Sequence, residues 1–286
     1  MRAVLITGAS SGIGEACAIH LDRLRFKVFA GVRKEADAEA LRHKSSGNLT
    51  PIILDVTDEN SIAAAVKLIE TELGESGLYG LVNNAGIVVS GPLEFLPIAE
   101  LRNQFEINVT GQIAVTQAFL PLIRKSSGRI INIGSVSGLT SSPLIGPYSA
   151  SKYALEALTD ALRMELLPWG IEVVIIEPSA IATPIWNKSL SAADELEKSL
   201  SPQANQYYGK YMTGMRRFAR SSAKNGAPVM EVARVVEQAL VSPKPKTRYK
   251  VGKGIRFSLL FQRLPDRLRD HLTMSQLEKL GSYTKK

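Results

Sequence analysis

Residues 129–152, RIINIGSVSGLTSSPLIGPYSASK, bring together Ser135, Tyr148 and Lys152, side-chain types suited to moving a proton on and off a carbonyl or alcohol oxygen. Tyr148 and Lys152 stand four apart, so on a helix the phenol and the ammonium share one face. A free phenol has a pKa of about 10 and is a poor proton shuttle at neutral pH. A neighbouring cation favours phenolate, so the spacing predicts a Tyr148 pKa pulled towards the working range. Ser135 is placed to donate to an oxygen that the phenol also reaches. Y-x-x-x-K alone is an ordinary helical spacing, and the surrounding elements decide whether it does chemistry.

Those elements are a strand, a loop and a helix. Ile130, Ile131 and Ile133 make an apolar β-run, a Gly/Ser loop follows, and a helix is entered at Pro147. In a parallel sheet this puts the loop at the carboxyl edge, where open α/β sheets bind ligands. At the start of the chain, residues 2–7 form a short apolar strand ending at Gly8. TGASSGIG then opens a helix with Ile13, Cys17, Leu21 and Leu24 on one side. A strand, a glycine turn and a helix N-terminus make a phosphate site, because backbone N–H groups and the helix dipole favour negative charge. The glycines sit at 8, 12 and 14. That is not the G-x-G-x-x-G spacing, and a plain turn with a helix cap is the alternative for this stretch alone.

The second strand, 26–32, carries the cofactor question. In dinucleotide folds an acidic residue about twenty positions beyond the glycine turn holds the ribose 2′-hydroxyl, whereas an Arg suits a 2′-phosphate. That count from Gly12 reaches Val32, followed by Arg33 and Lys34. Two cations cannot accept from a hydroxyl but can pair with a phosphate. NADP(H) is therefore expected over NAD(H), with Arg33 as the main 2′-phosphate contact beside Lys34; solvation of a loop is the other use of the pair.

The third strand, 50–56, ends in Asp55-Val56, placed to border an adenine ring. A helix over 61–73 and a strand over 78–82 lead into Asn83-Asn84-Ala85-Gly86. Asn83 could bond backbone or ligand, whereas Ala85-Gly86, next to Asn84, leaves room for a cofactor. A helix over 98–125 carries Asn108-Val109-Thr110-Gly111 midway, a weakness by propensity that often marks a functional spot. A helix over 148–168 and a buried strand over 171–178 follow. The repeated βα alternation predicts an α/β fold: a doubly wound, Rossmann-type parallel sheet of about seven strands with helices on both faces.

At 286 residues, 45% apolar and 22% charged, the chain can bury one large core. It has no Pro/Gly/Ser-rich linker, so a single domain over 1–286 is expected: core 1–183, helical cap 184–228, and helix, edge strand and tail over 229–286. The N-terminus has no signal-peptide core, and no run approaches the roughly eighteen apolar residues of a membrane span. The single Cys17 suits a reducing, cytoplasmic compartment. His20, His43 and His271 are scattered without metal-ligand spacing, so no metal is expected. The net charge of +8 comes with no recognisable nucleic-acid module and suffices to attract an anionic cofactor.

TGASSGIG (7–14), LDVTD (54–58), NNAG (83–86), NVTG (108–111), NIGSVSG (132–138) and YSASK (148–152) together resemble the short-chain dehydrogenase/reductase family, in its order and at its spacing. The likeness runs over 3–183, more weakly over 230–252. It implies an NAD(P)-dependent alcohol dehydrogenase or carbonyl reductase. Tyr148 would be the general acid/base; Lys152 would bind the nicotinamide ribose and lower the Tyr pKa. Ser135 would orient the substrate oxygen, and Asn108 would hold a water linking Lys152 to solvent. Gly8, Ser10, Ser11, Gly12, Ile13 and Gly14 would face the diphosphate, and Pro178, Ser179, Ile181 and Thr183 the nicotinamide. The sequence departs from the family at Ser179, where Gly is common, and at Gly134, where Ser is frequent. The resemblance also implies a homodimer or homotetramer built on helices 98–125 and 148–168.

Substrate choice falls to loops 87–97, 137–147 and 180–228. The last carries Ile181, Ile185, Trp186, Leu190, Leu196, Tyr207, Tyr208, Tyr211, Met212, Met215 and Phe218. These form either a lid for a bulky lipophilic alcohol or ketone, with Ile185 and Trp186 as substrate contacts, or packing for the cap. VFAG (28–31) and residues 163–178 resemble the retinol and 17β-hydroxysteroid dehydrogenase branch. The apolar run 255–272, bracketed by cations, is expected either to touch a membrane surface or to pack on the protein. A protein that binds NADP(H) without turnover is the rival to an enzyme, but a mere binder has no need of Tyr148.

Overall fold

The computed structural model describes residues 1–255 and 260–282. Seven parallel strands form one sheet: β1 (Ala3–Ile6), β2 (Lys27–Val32), β3 (Leu49–Ile53), β4 (Gly80–Asn83), β5 (Arg129–Ile133), β6 (Glu172–Pro178) and β7 (Arg248–Val251). Their order is β3-β2-β1-β4-β5-β6-β7. The direction of winding reverses between β1 and β4, so a crevice opens beyond the carboxyl ends of those strands.

Period-two alternation explains the layers. On one face Val4, Ile6, Val28, Ala30, Ile131, Val174 and Ile176 pack against α1 (Gly12–Arg23), α2 (Glu35–Arg42) and α9 (Val229–Val241). On the other, Leu5, Phe29, Leu81, Ile130 and Val173 meet α3 (Glu59–Leu73) and α5 (Gly111–Lys125). Cys17 lies fully buried in the first layer, where burial pushes its thiol up to about 12; it is packing, not a nucleophile.

The helix expected over 98–125 is interrupted. It consists of α4 (Ile98–Phe105), a wide π-helical turn over Glu106–Thr110, and α5. The site helix α6 (Gly146–Glu165) starts two residues before Tyr148, with Pro147 in its first turn. The segment expected as a cap folds as α7 (Ile185–Ser199) and α8 (Pro202–Asn225). The run 255–272 falls partly outside the described residues. Beyond it, α10 (Asp266–Ser282) packs on α8, with Tyr211 Oη donating to Glu278 Oε1 at 3.1 Å and Arg217 donating to the Leu280 carbonyl. No helix among the described residues is long and apolar enough to cross a membrane.

A charge cluster, buried at Glu156 and Glu177, ties α6 to the far strands. Arg248 of β7 reaches Asp160 Oδ2 at 2.7 Å, Glu156 Oε2 at 3.4 Å and Glu177 Oε1 at 3.6 Å, and Lys250 Nζ lies 3.6 Å from Glu177 Oε2. Burial, reinforced by the charge of Glu177, pushes Glu156 up to about 7 against the pull of Arg248. The folded pKa thus lies above the usual carboxylate value of about 4.3, and the native state holds more protons between the two. Stability from this group is present below about 4 and is lost as pH rises through about 7. Glu156→Gln should therefore flatten the fall in Tm between pH 5 and pH 8; an undiminished slope in the variant would assign the pH dependence elsewhere.

Candidate active site

The glycine turn and the exit of β4 are drawn together by one hydroxyl and one amide. Thr7 Oγ1 accepts from the N–H groups of Asn84 (2.9 Å) and Ala85 (3.0 Å). Asn84 Nδ2 donates back to the carbonyls of Thr7 (2.9 Å) and Gly8 (3.1 Å). Gly8 has φ +65°, and a Cβ there would lie 2.8 Å from Ala85 Cα. Gly14 admits the same approach from behind, since a Cβ would collide with the Gly8 carbonyl and the Asn84 amide. Gly14 is buried, lies outside the cleft lining and packs the helix onto the turn.

The cleft so formed encloses about 200 Å³. Gly8, Ser10, Ser11, Gly12 and Ile13 line one wall, and Asn84, Ala85 and Gly86 another. Asp55 and Val56 border its outer end together with Gly31, Val32 and Arg33. Arg33 is exposed and makes no ion pair among the described residues. Lys34 stands outside the lining, as the residue preceding α2. A glycine cradle at a helix N-terminus, with a free guanidinium at the end of β2, fits a dinucleotide bearing an extra phosphate. The cap adds a cation that the sequence did not single out. Lys188 of α7 lines the cleft and donates to Ser11 Oγ at 3.1 Å.

A second cavity of about 320 Å³ adjoins the cleft and shares Ile13, Asn84, Gly86 and Ile87 with it. Ser135, Tyr148, Lys152 and Asn108 all line it. Ser135 leaves β5 with its Oγ accepting from Ser137 N at 3.1 Å. Lys152 Nζ donates to the Ile133 carbonyl at 2.7 Å and lies 5.8 Å from the centre of the Tyr148 ring. Burial lowers Lys152 to about 8, with Glu156, one turn on, pulling it back up. It is still mostly ammonium at neutral pH.

The phenol departs from the sequence expectation. Burial raises the Tyr148 pKa, and the hydrogen bond with Ser135 offsets this only in part. Desolvation of the anion is the dominant cause.

Asn108 occupies the π-helical turn and is fully buried. Its Oδ1 accepts from Ile87 N at 2.9 Å, while Nδ2 donates to Ile87 O (3.0 Å) and Ser151 Oγ (3.2 Å). Ser151 in turn donates to the Tyr148 carbonyl at 2.7 Å. Gln104 and Gln112 do similar work. Gln104 accepts from Val89 N (2.7 Å) and donates to Ile87 O (3.0 Å), and Gln112 donates to Ala85 O (2.8 Å). Three buried amides at a spacing of four thus hold the backbone over 85–89, and that spacing was the signal available for Gln104 and Gln112. Asn83 is structural: its Nδ2 donates to Thr116 Oγ1 (2.8 Å) and Asn132 Oδ1 (3.0 Å).

Pro178, Ser179, Ile181 and Thr183 line the larger cavity, and Ile185 and Trp186 carry the lining into α7. Ser179, the departure from the family pattern, is accommodated by donating its hydroxyl to Lys253 O at 2.9 Å. Trp186 is fixed by its indole N–H on Ile181 O (2.7 Å) and by an edge contact with Phe218 at 6.2 Å. Met215 and Phe218 also line this cavity, whereas Tyr207, Tyr208 and Tyr211 do not. Tyr208 donates to Glu94 Oε2 at 2.8 Å, and Tyr207 is exposed. Thr273, Gln276, Leu277 and Leu280 of α10 complete the wall, a contribution that sequence reading missed.

Comparison with known proteins agrees with this geometry. The family described as short chain dehydrogenase matches residues 2–194. The chain is 38% identical to the NADPH-dependent 3-dehydrocapnine reductase of Ornithobacterium rhinotracheale, over 98% of this chain and 99% of that protein. It is 39% identical to retinol dehydrogenase 7 of Rattus norvegicus, over 90% of this chain and 82% of that protein. A crystal structure of a short-chain dehydrogenase from Streptomyces avermitilis superposes with a TM-score of 0.76 at 27% identity, covering 99% of both chains. A match that spans both the glycine turn and the Ser–Tyr–Lys wall leaves one assignment: the chain belongs to the short-chain dehydrogenases, oxidoreductases that use a nicotinamide cofactor.

Proposed function

We propose that the protein interconverts an alcohol with a ketone or aldehyde on a bulky, lipophilic molecule, using NADP(H). The observation that carries this reading is the Ser135–Tyr148–Lys152 wall, which faces a largely apolar cavity opening onto the dinucleotide cleft. The bound cofactor supplies or accepts the hydride. In reduction, Tyr148 gives its proton to the carbonyl oxygen while the Ser135 hydroxyl stabilises the charge developing there. A phenol raised by burial keeps that proton at neutral pH, which suits the reductive direction. Lys152 holds its ammonium beside the ring, anchored on Ile133. Asn108 keeps an acceptor lone pair for a water that links the ammonium to solvent. Arg33, with Ser10 and Ser11 on the turn, holds the phosphates. The two relatives, one named for NADPH and one for retinol, support the cofactor and a lipophilic substrate.

Tyr148→Phe should bind NADPH normally yet lose turnover by roughly a hundred- to ten-thousand-fold, whereas Lys152→Ala harms both binding and turnover. Near-normal rates for the Phe variant with a lipophilic ketone, followed at the nicotinamide absorbance, would mean that the acid is another group. Arg33→Ala should raise KM for NADPH about tenfold or more, the worth of a charge-assisted phosphate contact of ~1.5 kcal/mol. KM for NADH should barely change, and equal losses with both cofactors would remove the 2′-phosphate role.

A further inference from the structure

Behind the reacting cavity lies a smaller chamber of about 50 Å³, enclosed by α7, α8 and the turns at 88–92 and 144–145. The two turns are joined by Gly91 N donating to Leu144 O at 2.8 Å. Val88, Ile145, Trp186 and Met215 line both spaces, so the chamber is reached from the Tyr148 side. Most of its remaining lining is apolar, with Leu144, Leu190, Ala193, Leu196, Leu200 and Met212; of the two hydroxyls there, Ser90 and Ser189, the second is spent on the Trp186 carbonyl at 2.9 Å. The charged groups at its edge are spent on one another, Arg216 pairing with Asp194 (2.9 Å) and with Glu197. Neutral hydrogen-bonding side chains gather instead around the reacting end, where Ser137, Thr140, Ser142, Thr273 and Gln276 line the larger cavity.

Polar side chains are therefore fewer in the chamber than in the Tyr148 cavity, and the two spaces meet at Val88, Ile145, Trp186 and Met215. We infer that the substrate is a straight-chain amphiphile. Its reacting carbon lies close to a polar head, and its alkyl tail runs between Trp186 and Met215 into the chamber. A small, mostly apolar end suits methylenes and excludes a fused ring system from the chamber, so the bulk of the molecule lies in its length. This rests on the proposed oxidoreductase activity and adds the shape and polarity of the molecule.

The test is a series of linear 1-hydroxyalkan-3-ones of increasing length, reduced with NADPH by the whole protein. kcat/KM should climb by about fourfold for each methylene that enters the chamber, the value of burying a CH₂, and then level off. Ala193→Phe, which fills the chamber, should lower the ratio of long-chain to short-chain kcat/KM by tenfold or more. Met212→Ala, which widens it, should move the plateau to longer chains and serves if the Phe variant does not fold. A ratio that is flat with length in the native protein, or that neither variant moves, overturns the tail site while turnover of short members upholds the oxidoreductase. No NADPH oxidation with any member, where another lipophilic ketone is reduced, overturns this inference and leaves the proposed function standing; no oxidation with either overturns both.

Discussion

A buried ammonium must be compensated, because taking it out of water costs several kcal/mol (roughly) even after the protein relaxes. Here the compensation is one carbonyl at hydrogen-bond distance, helped by the charge of Glu156 one turn on. Lys152, 5% exposed, donates to Ile133 at the last residue of β5. That bond presses the first turns of α6 onto the carboxyl end of the central sheet, and the site's geometry follows. Tyr148 sits one turn earlier on the same face, and Ser135 stands two residues beyond the carbonyl. Were the ammonium bound elsewhere, neither residue would have a fixed relation to the other.

The frame of the site was legible because it is local. A strand, a glycine turn and a helix are adjacent in the chain, and period-two alternation identifies the buried strands without any knowledge of their neighbours. Arg33 falls where counting from the turn puts it. What escaped were groups whose roles depend on long-range packing. Lys188 meets Ser11 across most of the chain, and Thr273 and Gln276 reach the cavity only because α10 folds back on α8. The direction of the Tyr148 shift escaped for the same reason. A cation four residues away can be counted in a sequence, but the degree of burial cannot. The cap shows the limit of composition. Its three tyrosines fit either a substrate lid or packing of the cap, and two of them use their hydroxyls to hold α8 to Glu94 and Glu278.

The buried amides show how the cleft is kept open. An exit such as 85–89 carries backbone groups that the sheet does not pair, and each left unmet would cost a desolvation penalty of about 1–3 kcal/mol. Gln104, Asn108 and Gln112 meet them from one helical face. The loop is thereby held rigid at the junction of the two cavities, where slack would misplace a bound molecule by more than hydride transfer tolerates.

That same face depends on the wide turn at Glu106–Thr110. An extra residue in a helix of 3.6 residues per turn rotates everything beyond it by about 100°. The turn acts as a phase shifter: Gln104 and Gln112 would stand about 80° apart on an unbroken helix, and the wide turn brings their aims closer together on one loop. The spacing between Gln104 and Gln112 is consequently quantised. Surface loops absorb a gained or lost residue at little cost, whereas a single deletion here keeps both amides on the loop only if the wide turn closes up to a regular one.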